Sequence, residues 1–418
     1  MPAIAGIELD ARRNMKILIA DQLDPSAKLA LEDIGHEVQE THSVSSDDLD
    51  QHIQGIEVLV VRSTRVTADV LKAADRLSLI VRAGAGVDNI DVVAASDLGI
   101  HVCNVPGKNA AAVAELTFAL LLAIDRHVVE GASDLRKGIW NKREYSVADG
   151  IMGKTIGIIG LGGIGLSVAE RAKAFGLRVM GQRRSGRSPE TEQRIRQIGI
   201  RLTDTLEELV AHSDVVSIHV PFNEQTVNLV DEDLLRSFKD EAILINTSRG
   251  EIIDELALIQ AMNERGIRAG LDVFCGEPAS GEITITSALA SHPSVVGSHH
   301  IGASTMQASR AIASGVIDSI AGFESGNPLN CVNEAPSGEG TSQVRVRHLD
   351  RVGVLASVLS TLRAADLNVQ YMDNRVFSGK KAAVASIEVV GAVPMGLYDE
   401  LVSLEHVLGV SLLDKRAV

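Results

Sequence analysis

The glycine-rich segment from Gly157 to Gly165 constrains this chain more than any other feature. It reads Gly-Ile-Ile-Gly-Leu-Gly-Gly-Ile-Gly and overlaps a short apolar run that begins at Lys154. The apolar run suits a buried parallel strand, and the residues from Ser167 to Phe175 suit a helix. A strand, a glycine turn and a helix N-terminus bring backbone N–H groups up to a pyrophosphate without an intervening side chain. The segment therefore predicts a dinucleotide site, and the alternative is a tight turn that binds no ligand.

Composition narrows the fold class and the kinds of partner. The 418 residues are enough for two or three domains. Because 45% are hydrophobic but only 3% aromatic, the cores must consist of Ala, Val, Leu and Ile, as in parallel sheets covered by helices. The formal net charge of -15 argues against nucleic-acid and membrane partners, whereas a small anion needs only a local basic pocket. The longest apolar stretch, residues 116–124, is too short to span a bilayer.

Cysteine and histidine usage favours a cytoplasmic protein without a metal site. Cys103, Cys275 and Cys331 are far apart and form no disulfide framework. The twelve histidines show no spacing typical of metal ligands. The first fourteen residues lack the basic start and apolar core of a signal peptide, and we expect a frayed leader there.

Alternating strand-like and helical segments predict two parallel sheets. The first series has strands at residues 15–20, 58–61 and 79–81 and helices at 26–34 and 68–74. A long helix at residues 110–129 is suited to joining two lobes. The second series starts at Lys154, with strands near residues 178–180, 215–218, 242–245 and 270–273, and a helical stretch follows at 304–325.

The pattern changes after the turn-rich residues 325–328 and 333–340. Strands are predicted at residues 342–348, 369–376, 382–390 and 407–413, and helices at 353–364 and 397–403. The order βαββαβ predicts a small ferredoxin-like module.

The residues at the end of the second strand of the dinucleotide unit bear on the choice of cofactor. An acid is expected there to bind the ribose 2′-OH, but the chain reads Gln-Arg183-Arg184-Ser. Arginines suit a 2′-phosphate because the guanidinium binds phosphate through a planar fork. The alternative is that both are solvated loop charges.

Three further residues at predicted strand ends suit hydride transfer. Arg249 follows the strand at 242–245, where it can hold a substrate carboxylate. His300 precedes a glycine turn and can take a hydroxyl proton, while Glu277 can orient the imidazole and favour its charged form. Asp272 lies where it can contact the cofactor. The alternatives are that Arg249 is a surface arginine and that His300, taken alone, is a structural loop histidine.

The ordered motifs resemble those of the D-isomer-specific 2-hydroxyacid dehydrogenases. They are Gly160-Leu-Gly-Gly-Ile-Gly165, Asn246-Thr-Ser-Arg249-Gly, Asp272-Val-Phe-Cys-Gly-Glu277-Pro and His300-Ile-Gly-Ala-Ser. The segments around Arg62, Arg82 and Asn104 look most like those of the D-3-phosphoglycerate dehydrogenases within that family, which oxidise 3-phosphoglycerate to 3-phosphohydroxypyruvate in serine biosynthesis. The resemblance covers residues 15–330.

The resemblance implies roles for particular residues. Arg249, Glu277 and His300 would be catalytic. The cofactor, NAD or NADP with NADP favoured by the two arginines, would be bound by Gly160, Gly162, Gly163, Ile164, Gly165, Arg183, Arg184, Thr247, Ser248, Arg249, Asp272, His300, Ile301, Gly302 and Ala303. The small anionic 2-hydroxy or 2-keto acid would be bound by Arg62, Ser63, Arg82, Gly84 and Ala85.

The implied fold is α/β, with a Rossmann-like cofactor domain (residues 109–299) inserted in a split flavodoxin-like substrate domain (15–108 and 300–330). The tail, residues 341–418, resembles an ACT regulatory domain. His348, Asp350 and Asn368 match positions that bind an amino-acid effector across a dimer, although Asp350 replaces the asparagine of the serine-regulated enzymes. The resemblance thus implies a homo-oligomer, either a dimer or a tetramer, with a purely dimerising tail as the alternative.

Two other functions stay open at this point. NADPH-preferring hydroxypyruvate and glyoxylate reductases of the same superfamily have an arginine at the position of Arg183, where NAD-type phosphoglycerate dehydrogenases have an aspartate. Corepressor-like proteins that sense dinucleotides share the fold and can retain the three catalytic residues, although the ACT-like tail argues against that class.

Overall fold

The computed structural model describes residues 14–41, 48–278, 284–334, 340–391, 393–394 and 396–414. The chain forms two compact units that divide between Asn333 and Glu334. Residues 1–13 of the fourteen-residue expected leader, and residues 335–339 of the predicted linker, lie outside the described residues. No helix within the described ranges is long and apolar enough to cross a membrane.

The first sheet of the N-terminal unit is parallel and has the strand order β2-β1-β3-β4-β5. Its strands are β1 (Lys16–Ile19), β2 (Glu37–Glu40), β3 (Val58–Val61), β4 (Leu79–Arg82) and β5 (His101–Asn104), joined by α1 (Ser26–Asp33), α2 (Leu49–His52), α3 (Ala68–Ala73) and α4 (Val92–Asp97). This is the flavodoxin-like order, as predicted. The strand order reverses between β1 and β3, and such a point leaves a crevice at the carboxyl ends of the strands.

The predicted single helix at residues 110–129 is wrong, because two helices occupy this region. They are α5 (Ala110–Arg126) and α6 (Val128–Arg136). His127 between them adopts a left-handed conformation with φ of 49°, which ends the i to i−4 hydrogen-bond pattern of α5.

The second sheet has the strand order β12-β11-β10-β9-β6-β7-β8. Its strands are β6 (Thr155–Ile159), β7 (Arg178–Gln182), β8 (Arg201–Thr203), β9 (Val215–Ile218), β10 (Ile243–Asn246), β11 (Arg268–Leu271) and β12 (Val295–Gly297), and its helices are α7 (Gly163–Ala174), α8 (Pro189–Ile198), α9 (Leu206–Ala211), α10 (Glu232–Arg236) and α11 (Glu255–Arg265). All neighbouring strands are parallel, and a hydrophobic core lies on each face. This is the Rossmann order with a seventh strand added.

The chain then returns to the first sheet through α12 (Met306–Glu324). Ile312, Val316 and Ile320 of this helix are buried in one core with residues of β1, β3 and β4. The exact domain boundaries given above stay a prediction.

The C-terminal unit has the predicted βαββαβ order. It consists of β13 (Ser342–Leu349), α13 (Val354–Ala364), β14 (Asn368–Val376), β15 (Ala382–Val390), α14 (Leu397–Val402) and β16 (Val407–Asp414). The strands form an antiparallel sheet in the order β14-β15-β13-β16. Both helices pack against one face of it, through a core that includes Val344, Val346, Ala385 and Ile387.

Candidate active site

The glycine turn joins β6 to α7 at the reversal point of the second sheet. Gly160 has φ of 101°, and a Cβ there would lie 2.3 Å from the carbonyl oxygen of His219. A Cβ on Gly165 would lie 1.9 Å from the oxygen of Gly160, whereas Gly162 faces open space. Gly162 is the N-cap of α7 and supplies no capping side chain, so the first N–H groups of the helix face that space. This cradle fits a dinucleotide pyrophosphate.

The strand that carries the predicted ribose-binding residues ends at Gln182. Arg183 and Arg184 follow it and are exposed. The Nε atom of Arg183 donates to Oδ1 of Asp204 at 3.0 Å, in an ion pair whose side chains are 64% and 82% exposed. Because this ion pair is exposed to solvent, it restrains the guanidinium only weakly.

Arg249 lies on a turn that its own neighbours hold in shape. The fully buried Asn246 donates to the carbonyl oxygen of Arg249 at 2.8 Å and accepts from the N–H of Ser248 at 2.9 Å. Ser248 donates to the carbonyl oxygen of Ile218 at 2.9 Å, and the buried Thr247 lies 3.5 Å from Thr117 through their hydroxyls. These contacts fix the backbone of the turn that carries Arg249.

The Arg249 guanidinium reaches Asp88, which follows β4 of the first sheet. Nε and Nη2 donate to the two carboxylate oxygens of Asp88, both at 3.1 Å. Burial raises the pKa of Asp88, but the hydrogen bonds and charge of Arg249, with the charge of Arg82, outweigh burial and lower it. This bidentate ion pair joins the two sheets, and sequence reasoning assigned no role to Asp88.

Glu277 and His300 are in contact, as expected. The carboxylate of Glu277 meets Nδ1 of His300, and it also accepts from the N–H of Phe274 at 3.3 Å. Burial raises the pKa of Glu277, but the hydrogen bond and charge of His300, with that N–H group and Arg249, lower it overall. The contact at Nδ1 leaves Nε2 of the imidazole available for a substrate.

Asp272 holds the loop that carries His300. It is 1% exposed. One carboxylate oxygen accepts from the hydroxyl of Ser298 at 2.6 Å and from the N–H of Ile301 at 2.9 Å, and the other accepts from Gly302 at 2.8 Å. His300 itself has φ of 51°, which is unusual for a residue with a side chain. Its N–H donates to the carbonyl oxygen of Asp272 at 2.7 Å.

Positively charged groups gather at the crevice of the first sheet. Burial and then the charge of Arg249 lower the pKa of Arg82 to about 10, and Arg62 acts in the same direction. Nε of Arg82 is buried and has no hydrogen-bond partner within the described residues. Nη2 of Arg62 lies 3.4 Å from the hydroxyl of Ser304. The predicted substrate arginines thus lie beside the candidate carboxylate anchor.

The backbone around these arginines is fixed by Asp21 and Asn104, to which no role was assigned from the sequence. Asp21 accepts from the consecutive N–H groups of residues 62, 63 and 64 at 2.6 to 3.0 Å, and Asn104 donates to the carbonyl oxygen of Ala85 at 2.6 Å. Gly84 has φ of 152°, and a Cβ there would collide with the guanidinium of Arg82.

The comparisons with known proteins agree with this geometry. Residues 118–302 match the family model described as "D-isomer specific 2-hydroxyacid dehydrogenase, NAD binding domain". A hydroxypyruvate reductase of Thermotoga maritima is 39% identical over 308 residues, which is 73% of this chain and 97% of the relative. The chain belongs to the D-isomer-specific 2-hydroxyacid dehydrogenases.

Two other relatives of this dehydrogenase are named D-3-phosphoglycerate dehydrogenases. The enzyme of Methanocaldococcus jannaschii is 38% identical over 309 residues, which is 73% of this chain. This chain spans only 57% of the length of that relative. The enzyme of Archaeoglobus fulgidus is 34% identical over 398 residues, which is 94% of this chain and 72% of the relative.

The predicted effector residues of the dehydrogenase differ in exposure. His348 is buried, with its ring nitrogens 2.8 Å from the carbonyl oxygen of Leu349 and 3.1 Å from Oδ1 of Asn374. Asp350 and Asn368 are exposed. An effector role for these three residues stays a prediction.

We predict that Asp272→Asn loosens the His300 loop. The NH₂ group of the new asparagine would face one of the N–H or O–H donors that Asp272 now accepts from. One buried donor would then lose its partner, and the free energy of unfolding should fall by about 1–3 kcal/mol. Chemical denaturation measures this loss, and kcat should fall with it because His300 is displaced. Ser298→Ala removes only one donor and serves as the milder control. Equal stability and kcat in Asp272→Asn and the wild type would contradict this role.

Proposed function

We propose that this chain is a D-3-phosphoglycerate dehydrogenase. It would oxidise the C2 hydroxyl of 3-phosphoglycerate to the ketone of 3-phosphohydroxypyruvate, as part of serine biosynthesis. Membership of the family supports oxidation of a small 2-hydroxy acid with a nicotinamide cofactor. The two relatives that bear this name support the phosphorylated substrate.

The group formed by Arg62, Arg82 and Arg249 is the observation that carries the proposal. Arg82 is largely buried, its pKa is lowered by burial and by both neighbours, and its Nε lacks a partner within the described part of the chain. Asp88 and Asp21 are the carboxylates that act on Arg82, and Glu277 acts on Arg249 while it also contacts His300. A substrate that brings further negative charge is therefore favoured beside Arg82. A substrate with both a carboxylate and a phosphate meets this requirement better than one with a carboxylate alone.

The catalytic roles follow from the contacts of each side chain. The Arg249 guanidinium has five N–H groups, of which two donate to Asp88 and one to the carbonyl oxygen of Ser248. The remaining N–H groups would hold the α-carboxylate. Nε2 of His300 would take the proton of the C2 hydroxyl. Because the pKa of Glu277 is lowered, its carboxylate stays ionised at neutral pH and stabilises the imidazolium that forms.

The glycine turn and the residues at the strand ends would hold the cofactor. When bound, the nicotinamide accepts the hydride from C2 of the substrate. Gly160, Gly162 and Gly165 would surround the pyrophosphate. Arg183 and Arg184 support NADP over NAD, because both are exposed at the strand end where a 2′-phosphate would lie, and a phosphate would share the Arg183 guanidinium with Asp204.

A steady-state comparison of two keto acids tests the substrate. The kcat/KM for 3-phosphohydroxypyruvate should exceed that for hydroxypyruvate, and Arg82→Leu should reduce this ratio roughly 10- to 100-fold, because a charge-assisted hydrogen bond contributes about 1.5–3 kcal/mol. Arg65→Leu alters an exposed arginine of a neighbouring loop and should leave the ratio unchanged. A wild-type preference for hydroxypyruvate would overturn the proposal.

That opposite result would favour the second candidate, an NADPH-linked hydroxypyruvate or glyoxylate reductase. The observation in its favour is the pair Arg183 and Arg184, and the Thermotoga maritima relative is a named hydroxypyruvate reductase. The arginine group beside Arg249 is the reason to rank this candidate second.

We predict that Arg183→Asp combined with Arg184→Ala moves the cofactor preference from NADPH toward NADH. The change removes two cations and supplies a carboxylate that can accept from the ribose 2′-OH. The ratio of kcat/KM for the two cofactors measures the shift. Arg201→Ala is the matched control, because Arg201 is an exposed arginine at the amino end of β8, whereas Arg183 and Arg184 follow the carboxyl end of β7. Equal cofactor ratios before and after the double substitution would exclude 2′-phosphate recognition.

The remaining parts of the proposal concern regulation and assembly. The C-terminal unit would act as an ACT-like domain that binds an amino-acid effector, with the exposed Asp350 and Asn368 as the accessible polar groups. We propose a homo-oligomer, either a dimer or a tetramer. The sparse cysteines support a cytoplasmic location.

A further inference from the structure

One face of the C-terminal sheet carries arginines. Val344 and Val346 of β13 face the helices, so the alternate residues Arg345 and Arg347 lie on the opposite face, where both are exposed. The register places Ser386 and Ser411 on either side of Arg345. Val384 of β15 pairs with Arg347 on one side and with Arg375 of β14 on the other. Because paired residues point to the same face of a sheet, all three arginines lie on one face.

These arginines differ in whether an acidic side chain already pairs with them. Arg375 donates to Asp373 at 2.6 Å in an ion pair on the same face. Arg345 and Arg347 have no hydrogen-bond or ion-pair partner within the residues that the structure describes. Two guanidiniums about 7 Å apart along one strand are therefore available to a ligand.

A glycine leaves room for one of these guanidiniums. Gly409 is opposite Arg347 in the register, and a Cβ on Gly409 would lie 2.7 Å from Nη2 of Arg347. The guanidinium thus lies flat over a glycine that leaves room for it. The surrounding hollow has a volume of about 750 Å³ and is also lined by Tyr371 and Phe377. That volume is within the usual range for small-molecule sites.

We propose that this face, defined by Arg345, Arg347, Arg375, Ser386 and Ser411, binds a small organic phosphate. The guanidiniums supply planar N–H forks and the two serines supply hydroxyl donors, which together match a phosphate dianion. Charge complementarity selects this occupant. A second copy docked face to face would oppose arginine to arginine, and the net charge of -15 opposes nucleic acid.

The site is separate from the predicted effector residues. His348 points into the core on the helix side of β13, whereas this face is on the other side of the sheet. The inference uses the proposed function only to choose the probe, O-phosphoserine, which carries a phosphate monoester but no hydroxyl to oxidise at C2.

Isothermal titration of the full-length protein with O-phosphoserine tests the proposal. Arg345→Gln with Arg347→Gln should abolish one site per chain or weaken it at least roughly tenfold, because both charge-assisted partners are lost. Arg363→Gln, an exposed arginine on α13, is the matched control and should bind like the wild type. Arg62→Gln with Arg249→Gln should retain this site, so that failure of the proposed function is distinguishable from failure of this inference.

A second variant covers the case in which the double substitution impairs folding. Ser411→Glu places a carboxylate beside Arg345, which should abolish phosphate binding by occupying the guanidinium without lowering the melting temperature. Inorganic phosphate should compete with O-phosphoserine for the wild-type site. Unchanged stoichiometry and affinity in the Arg345/Arg347 variant, or in Ser411→Glu, would overturn the proposal.

Discussion

The ion pair between Arg249 and Asp88 is the contact on which the candidate active site depends. It joins the carboxyl edge of the Rossmann-like sheet to that of the flavodoxin-like sheet, with both carboxylate oxygens engaged. The strand order reverses between β1 and β3 in one sheet and between β6 and β9 in the other, and the carboxyl ends of the strands at these points line the crevice. The same contact bears on substrate binding, because an α-carboxylate must share the Arg249 guanidinium with Asp88.

A second carboxylate, that of Asp272, organises the other side of the crevice. It accepts one hydroxyl and two N–H groups from the loop that carries His300, and it is buried. Glu277 then orients the imidazole through Nδ1. Three acidic residues thus have separate tasks: Asp88 positions the guanidinium, Asp272 shapes the loop, and Glu277 sets the direction of the histidine. In our proposed mechanism only the last of these also stabilises charge that develops during turnover.

Many of the strands and helices could be predicted because they depend on local sequence patterns. Short segments rich in apolar and β-branched residues gave the bounds of β3, β9 and β15 residue for residue. Strand β11 begins two residues earlier than expected, because pairing with β10 and β12, rather than its own composition, places it. The break at His127 was missed because nothing in the apolar pattern marks it. Asp88 was missed as a partner because it is 161 residues from Arg249 along the chain, and spacing carries no information about such a contact.

Turnover by the His300→Gln variant tests the central claim most directly. If His300 takes the hydroxyl proton, kcat should fall by about 10²- to 10⁴-fold, while the dissociation constant of the dinucleotide stays unchanged. The neighbouring His299→Gln, also an exposed histidine, should retain wild-type turnover. Turnover of His300→Gln within a few-fold of the wild type would contradict this account, because the proposed mechanism has His300 alone accept the proton of the substrate hydroxyl.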